Sequence, residues 1–304
     1  MRYLFKSNNL IGDGLYISGA LRSWIKTNIR DYDEVYLQTL PDHIAPLYEG
    51  MIRDLFHGTP HCQGQFTFNT VFNRPDLSFE FEYVFDVNKA FQLSDQKKIH
   101  ISECYAEMLG VELEGEGNAK YKPIYIPEYN KDLEDHNFEI LDLHDCILLS
   151  MYSMSCSSRG NPPGPPNKML PWEKWKPMIE LLRKEYPTTI IRTVGAPSDK
   201  PSAEFEVYLH EHYIEPMHGI PLNRLAVIMK NAKLLVTIDN GMSHLAASQE
   251  LSTFLMYPRA LMPHYILPLG NPKLDYVHID PVQVSASRLK SALEYKIKKV
   301  KEGR

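Results

Sequence analysis

No apolar run in the chain approaches the roughly 18 residues that a bilayer-crossing helix needs, and the opening MRYLFKSNNLIGD lacks the apolar centre of a secretory signal. A cytoplasmic protein without a transmembrane segment is therefore the expectation, with peripheral membrane contact left open. Cysteine is scarce: Cys62, Cys104, Cys146 and Cys156 are widely spaced and form no CxxC pair. Neither a disulfide framework nor a zinc knuckle is indicated by that spacing, and buried reduced thiols are expected. Positive charge is not in excess either, since the formal net charge is −5. Without an overall basic field nucleic acid is not a favoured partner, and any such contact needs a local patch. The chain also lacks a G-x-S-x-G elbow, a Walker loop and a G-x-G-x-x-G fingerprint. Hydrolase, P-loop and Rossmann-dehydrogenase chemistry thus miss their usual residues. Twelve histidines are present, but the nearest pair, His210 and His212, would point to different faces of a helix, so no metal site is expected.

What is present is a 304-residue chain with 43% hydrophobic residues, enough for two domains with separate cores. Residues 234–249, LLVTIDNGMSHLAASQ, compress a buried strand, a polar turn and a helix start into one segment. The strand ends at Ile238, the turn is Asp239, Asn240 and Gly241, and the helix is expected to open at Met242 or Ser243. At the carboxyl end of a parallel strand, the N–H groups of such a helix start can stabilise a diphosphate. Gly241 allows close backbone approach, and Ser243 is suited either to cap the helix or to donate to a phosphate oxygen. An ordinary turn with Asp239 as a local cap is the structural alternative.

The rest of the chain alternates strands and helices. RYLFKS, EVYLQTL, GQFTFNTVF, SFEFEYVFDV and KPIYIP read as strands of the first half, with helices after the turn at Asp13 and over PLYEGMIRDLF and KKIHISECYAEMLGV. The acidic stretch 131–146 marks the expected boundary, giving domains at 1–145 and 146–285 and a basic helix at 286–304. In the second half CILLSMYSM is a strand, SCSSRGNPPGPPNK is too proline-rich for a helix or central strand, and LPWEKWKPMIELLRKEY is a helix. TTIIRTV and STFLMYP are further strands, HGIPLNRLAVIMKNAK leads a helix into residue 234, and PHYILPLGNPKLDYVHIDP reads as a loop with short extended pieces. The final helix carries seven Lys or Arg from residue 288 onward.

Asp239, Gly241, Ser243, His244, Ala246 and Ala247 resemble the Asp-Thr-Gly-x-x-His-x-Ala-Ala signature of glycosyltransferase family nine, the lipopolysaccharide heptosyltransferases, with Asn240 in place of the usual Thr. The opening Ile11-Gly12-Asp13 with Ala20-Leu21-Arg22 is similar to that family's first turn and helix, and Gly219, Leu222, Leu225, Ala226, Ile228 and Ala232 fit the run before its signature. Lys168 with Pro171, Trp172 and Trp175 resembles the start of another family helix, with shifted spacing. The resemblance implies a GT-B fold: two Rossmann-like α/β domains facing a central cleft. It implies an inverting, metal-independent transferase that uses a nucleotide-diphosphate sugar, ADP-linked and heptose-like, as donor substrate, with no further cofactor. Asp13 would be the base that deprotonates a hydroxyl on a glycan or other acceptor. Lys168 and the segment of Asp239, Gly241, Met242, Ser243 and His244 would hold the diphosphate, with Arg159 a second cation near Lys168. Asp199 would hold the ribose, although the family has Glu there; Glu204 is the fallback. The final helix would cross back to the first domain. A transferase acting on protein or modified DNA bases, a nucleotide-sugar 2-epimerase and a non-catalytic sugar-nucleotide binder are the alternatives.

Overall fold

The computed structural model describes residues 1–6, 11–29, 34–39, 67–72, 83–87, 89–124, 143–152, 169–195, 201–220, 222–258 and 266–303. The chain divides into two compact units, Met1–Glu128 with His264–Asn271, and Tyr129–Pro263 with Pro272–Arg304.

In the first unit, strands β1 (Arg2–Lys6), β2 (Glu34–Thr39), β3 (Thr67–Phe72) and β4 (Tyr83–Asp86) form a parallel sheet in the order β3-β2-β1-β4. Helix α1 (Ile11–Asn28) buries Leu15, Tyr16, Ile17, Leu21, Trp24 and Ile25, so it is enclosed on more than one face, as a helix in the interior of a domain is. Trp24 sets its ring edge against Tyr3, Phe5 and Phe85, and Phe5 stacks on Phe85 at 4.9 Å. Each such aromatic pair adds on the order of 1 kcal/mol beyond the area it buries. Helix α2 (Ala90–Lys97), which the sequence pattern does not mark, ends on Lys98 in the left-handed region at φ 58°. Helix α3 (Ile101–Leu109) comes next and ends on Gly110 at φ 66°.

His100 caps α3, its Nδ1 accepting from the Ser102 N–H at 3.2 Å while Nε2 meets the Leu267 carbonyl at 3.0 Å. A neutral ring carrying its proton on Nε2 satisfies both bonds. Tyr121, in the short 3-10 turn Gly117–Tyr121, stacks on that ring at 4.0 Å and donates to Glu103, which also pairs with Lys120. Burial pulls the His100 pKa down to about 4, outweighing the Leu267 carbonyl and the Glu103 carboxylate. Gly270 lies so close to the first unit's backbone that an added Cβ would fall 2.1 Å from the Lys122 nitrogen. That spacing admits only glycine. The expected strand KPIYIP is not found over residues 122–124, and its remainder lies outside the described residues.

In the second unit, β5 (Ile147–Ser150), β6 (Ile191–Gly195), β7 (Ile214–His218), β8 (Leu234–Ile238), β9 (Thr253–Pro258) and β10 (Leu274–Ile279) form a parallel sheet in the order β10-β9-β8-β5-β6-β7. Renumbered within the unit, this is the doubly wound 3-2-1-4-5-6 arrangement. Every residue of β5, β8 and β9 is buried, so these strands read as nearly unbroken apolar runs rather than alternating ones. Helices α4 (Trp172–Glu185), α5 (Ala203–Glu211), α6 (Leu222–Asn231), α7 (Gly241–Ser248) and α8 (Ala286–Lys301) accompany the sheet. Two strands differ from the sequence-based expectation: β7 is not marked by the pattern, and β10 replaces part of an expected loop.

The C-terminal helix α8 belongs to the second unit and packs Leu289, Leu293 and Ile297 into its core, beside α4; it is the segment His264–Asn271 that groups with the first unit. Nor is all of its positive charge solvated. Lys296 is fully buried, donating to the Lys273 carbonyl at 2.5 Å and to Asp275 at 2.9 Å, and Lys299 donates to the same carboxylate at 2.7 Å. Burial raises the Asp275 carboxyl, but its bonds to Lys299 and Lys296 overcome that and hold it below the ordinary carboxylate range.

Candidate functional site

The β8–α7 turn stands at the point where the strand order of the second sheet reverses. β5 and β8 run side by side, with Ser150 in register with Thr237, and the connections leaving their carboxyl ends diverge. A doubly wound sheet opens a crevice at such a point. Ile238 ends the buried strand, and Asn240, extended at φ −158° and ψ 178°, turns the chain into α7. The Asn240 side chain serves two elements at once. Its Oδ1 accepts the Met242 N–H at 2.9 Å, while Nδ2 donates to Ser150 Oγ at 2.9 Å and to the Tyr152 carbonyl at 2.7 Å. These bonds fix which end of the amide faces the helix.

The cap differs from the sequence expectation. α7 opens at Gly241, one or two residues earlier than expected, and Asn240 rather than Asp239 or Ser243 is its cap. Ser243 is fully buried; its Oγ donates to the Asn240 carbonyl at 2.8 Å, because a serine in the first turn reaches back along the helix more readily than outward. The Met242 and Ser243 N–H groups bond Asn240 Oδ1 and Asn240 O respectively. Met242 and His244 are buried at 9% and 4% exposure, whereas Asn240 and Gly241 are half-buried and form the accessible tip. Asp239 is buried below the tip. Its carboxylate, after burial itself, helps to push the Tyr257 phenol well above its ordinary range.

Beside the turn, the carboxyl ends of β5, β6 and β7 contribute residues that no sequence motif singles out. His218 Nε2 and Thr193 Oγ1 lie 3.1 Å apart, and the His218 ring meets Tyr152 edge-on at 6.3 Å. The strand register places His218 at the end of β7, opposite Gly195, and Thr193 in the middle of β6, a signal that required β7 to be recognised first. Of the other expected site residues, Asp13 lies in the first turn of α1 in the first unit. Lys168, Asp199 and Arg159 lie outside the described residues. Glu204 sits in the first turn of α5.

No family model and no curated protein sequence matches the chain. Solved structures do. The Escherichia coli ADP-heptose lipopolysaccharide heptosyltransferase II superposes with a TM-score of 0.70 over 98% of this chain and 99% of its own, at 12% identity. A glycosyltransferase family 9 protein of Veillonella parvula gives 0.65 over 98% and 97%, also at 12% identity. The E. coli heptosyltransferase WaaC, solved with ADP, gives 0.60 over 99% of both chains at 15% identity. The fold is that of the heptosyltransferases. It is an α/β fold of the GT-B kind, as the family resemblance implied. Among the described residues, no helix is long and apolar enough to cross a membrane.

Proposed function

We propose that the chain is a glycosyltransferase that moves a sugar from a nucleotide-diphosphate donor to a hydroxyl acceptor. The observation that carries this reading is the capped helix start of α7 at the strand-order reversal, in the segment that resembles the family-nine signature. A heptosyltransferase-like fold over nearly the full length supports it. Because WaaC has been solved with ADP and with an ADP-linked fluoro-heptose, an ADP-linked heptose is the donor to test first.

In this reading the diphosphate lies against the half-buried Gly241 tip, with Lys168 as counter-charge and Asp199 holding the ribose hydroxyls. Departure of the nucleotide develops negative charge on the leaving phosphate. Oriented backbone N–H groups and an ammonium can stabilise that charge without a metal. Asp13 takes the proton of the acceptor hydroxyl as its oxygen bonds to the anomeric carbon and the carbon–phosphate-oxygen bond breaks, so the anomeric configuration inverts. The acceptor is a glycan or another hydroxyl-bearing molecule.

Thermal-shift titration of ADP, UDP and GDP and of their sugars tests the donor half, since a ligand that binds only the folded state raises its apparent stability. Stabilisation by ADP and by ADP-heptose is expected. Incubation of a stabilising donor with a panel of glycan acceptors tests the transfer, and Asp13→Ala should abolish transfer while retaining donor binding. Conversion of the donor to its epimer with no acceptor present would overturn the assignment in favour of an isomerase.

A further inference from the structure

The first unit holds a cavity of about 350 Å³ that no sequence motif marks, between the last turns of α1 and the chain just beyond α3. Ser23, Lys26 and Thr27 line it from α1, and Gly110, Glu112 and Glu114 line it from the other side. Its size falls within the roughly 300–1,000 Å³ of small-molecule sites. Asp13 stands in the first turn of the same helix, about 15 Å from Ser23 along its axis at 1.5 Å per residue. The cavity is therefore separate from the turn that carries Asp13.

Ser23 is only 7% exposed, yet its hydroxyl has no hydrogen-bond partner among the described residues. Other helical hydroxyls of the chain reach back along their own helix: Ser18 donates to the Leu15 carbonyl, Ser248 to the Leu245 carbonyl, and Thr27 to the carbonyl of Ser23 itself. A buried hydroxyl left without a partner is destabilising, so a group that bonds it from the cavity gains what the fold forgoes. The charges around the cavity balance. Glu114 takes Lys26 on one carboxylate oxygen and has the Arg22 Nε 3.9 Å from the other, and Glu112 adds a second carboxylate, so two cations meet two anions. Such a lining favours neither sign of ion. It suits a neutral ligand whose groups both donate and accept, as the neighbouring hydroxyls of a sugar do.

We propose that this cavity is a binding site for one neutral sugar unit, held by the Ser23 hydroxyl, the Lys26 ammonium and the Glu114 carboxylate. Glu114 accepts from a sugar hydroxyl, while Lys26 and Ser23 donate to sugar oxygens. Binding here does not depend on the proposed transfer reaction. D-glucose, D-galactose and D-mannose are titrated into the full chain with saturation-transfer NMR as the readout, and inorganic phosphate and citrate serve as ionic probes. At least one sugar should bind and neither ion should. Ser23→Ala should weaken that sugar by about fivefold and leave the unliganded thermal midpoint unchanged or higher, because the hydroxyl has no bond within the fold to lose. Glu114→Gln should weaken it by about tenfold, since hydrogen bonds to an ionised group are the stronger ones.

Failure of all three sugars to bind overturns the proposal, as does binding of phosphate or citrate in their place. A sugar affinity unchanged in either variant also overturns it, since the sugar would then lie elsewhere on the chain. If Ser23→Ala fails to fold, the substitution at half-exposed Glu114 decides alone, and unchanged affinity in Glu114→Gln overturns the proposal. Failure of the unmutated chain to bind ADP, UDP or GDP would bring down the proposed function and leave this site standing.

Discussion

The two sheets share the order of their first four strands and differ in how the chain leaves the fourth. In the first unit the order is β3-β2-β1-β4; in the second, β7-β6-β5-β8 repeats that pattern of neighbours before β9 and β10 extend the sheet. After β4 the chain enters α2 from Lys89, which makes no side-chain cap bond. After β8 it enters α7 from Asn240, whose side chain caps the helix and bridges to the neighbouring strand. The strand order reverses in both sheets, but turn chemistry determines which helix start is capped and tied to its neighbouring strand. The interiors differ too. The first unit is wedged by Trp24 among Tyr3, Phe5 and Phe85, whereas the second combines apolar strands with a fully buried Lys296 paired to the half-buried Asp275.

That contrast can be broken most severely at Asp275. Asp275→Ala leaves the buried Lys296 ammonium with only the Lys273 carbonyl, and urea unfolding should show a loss of roughly 3–5 kcal/mol. Lys296→Met, which removes the charge as well as the bond, should cost much less; an equal cost would show that packing rather than the unpaired charge matters there. In the first unit Trp24→Ala opens a cavity among the stacked rings and should cost about 3–4 kcal/mol, read from the same urea transition.

The next effect depends on pH. His100 is neutral in the folded chain with its pKa at about 4 against an ordinary 6.5, so between those values the unfolded chain binds the extra proton. Stability should be unaffected by this group above pH 6.5 and should fall by up to roughly 3 kcal/mol as the pH drops toward 4. Urea midpoints against pH would show it as a slope that His100→Asn, which can still cap α3, flattens. A slope unchanged by that substitution would place the titration elsewhere. Smallest is the loss of an ordinary cap: Ser202 accepts the Phe205 N–H at 3.3 Å at the start of α5, and Ser202→Ala should lower stability by about 1 kcal/mol without altering nucleotide binding.

Where apolar pattern and local signals agree, the elements were legible. The sequence-derived strand at residues 234–238 coincides with β8, and the helix LPWEKWKPMIELLRKEY contains α4, because a fully buried strand needs an unbroken apolar run and an amphipathic helix needs its three-to-four spacing. β7, IEPMH, was missed because it carries a proline and exposed residues at the sheet edge, so neither alternation nor an apolar run marks it. β10 falls where the pattern indicates only short extended pieces in a loop, because its partly exposed residues are recruited by pairing with β9. At the candidate site the signature segment located the helix start, while its residue roles changed on folding. Ser243 turns inward, and Asn240, which the sequence places in the turn without a role of its own, is the cap and the bridge to β5.

By itself the order of residues determined the alternation of strands and helices, the helix start beyond Ile238 and the absence of a membrane-crossing run, because these depend on periodicity and on contacts within a few residues. Only the tertiary structure decided the strand order that puts β5 beside β8, the burial of Lys296 within the basic final helix, and the partners of Asn240. Those depend on bonds between residues as much as 90 positions apart, which no local pattern encodes.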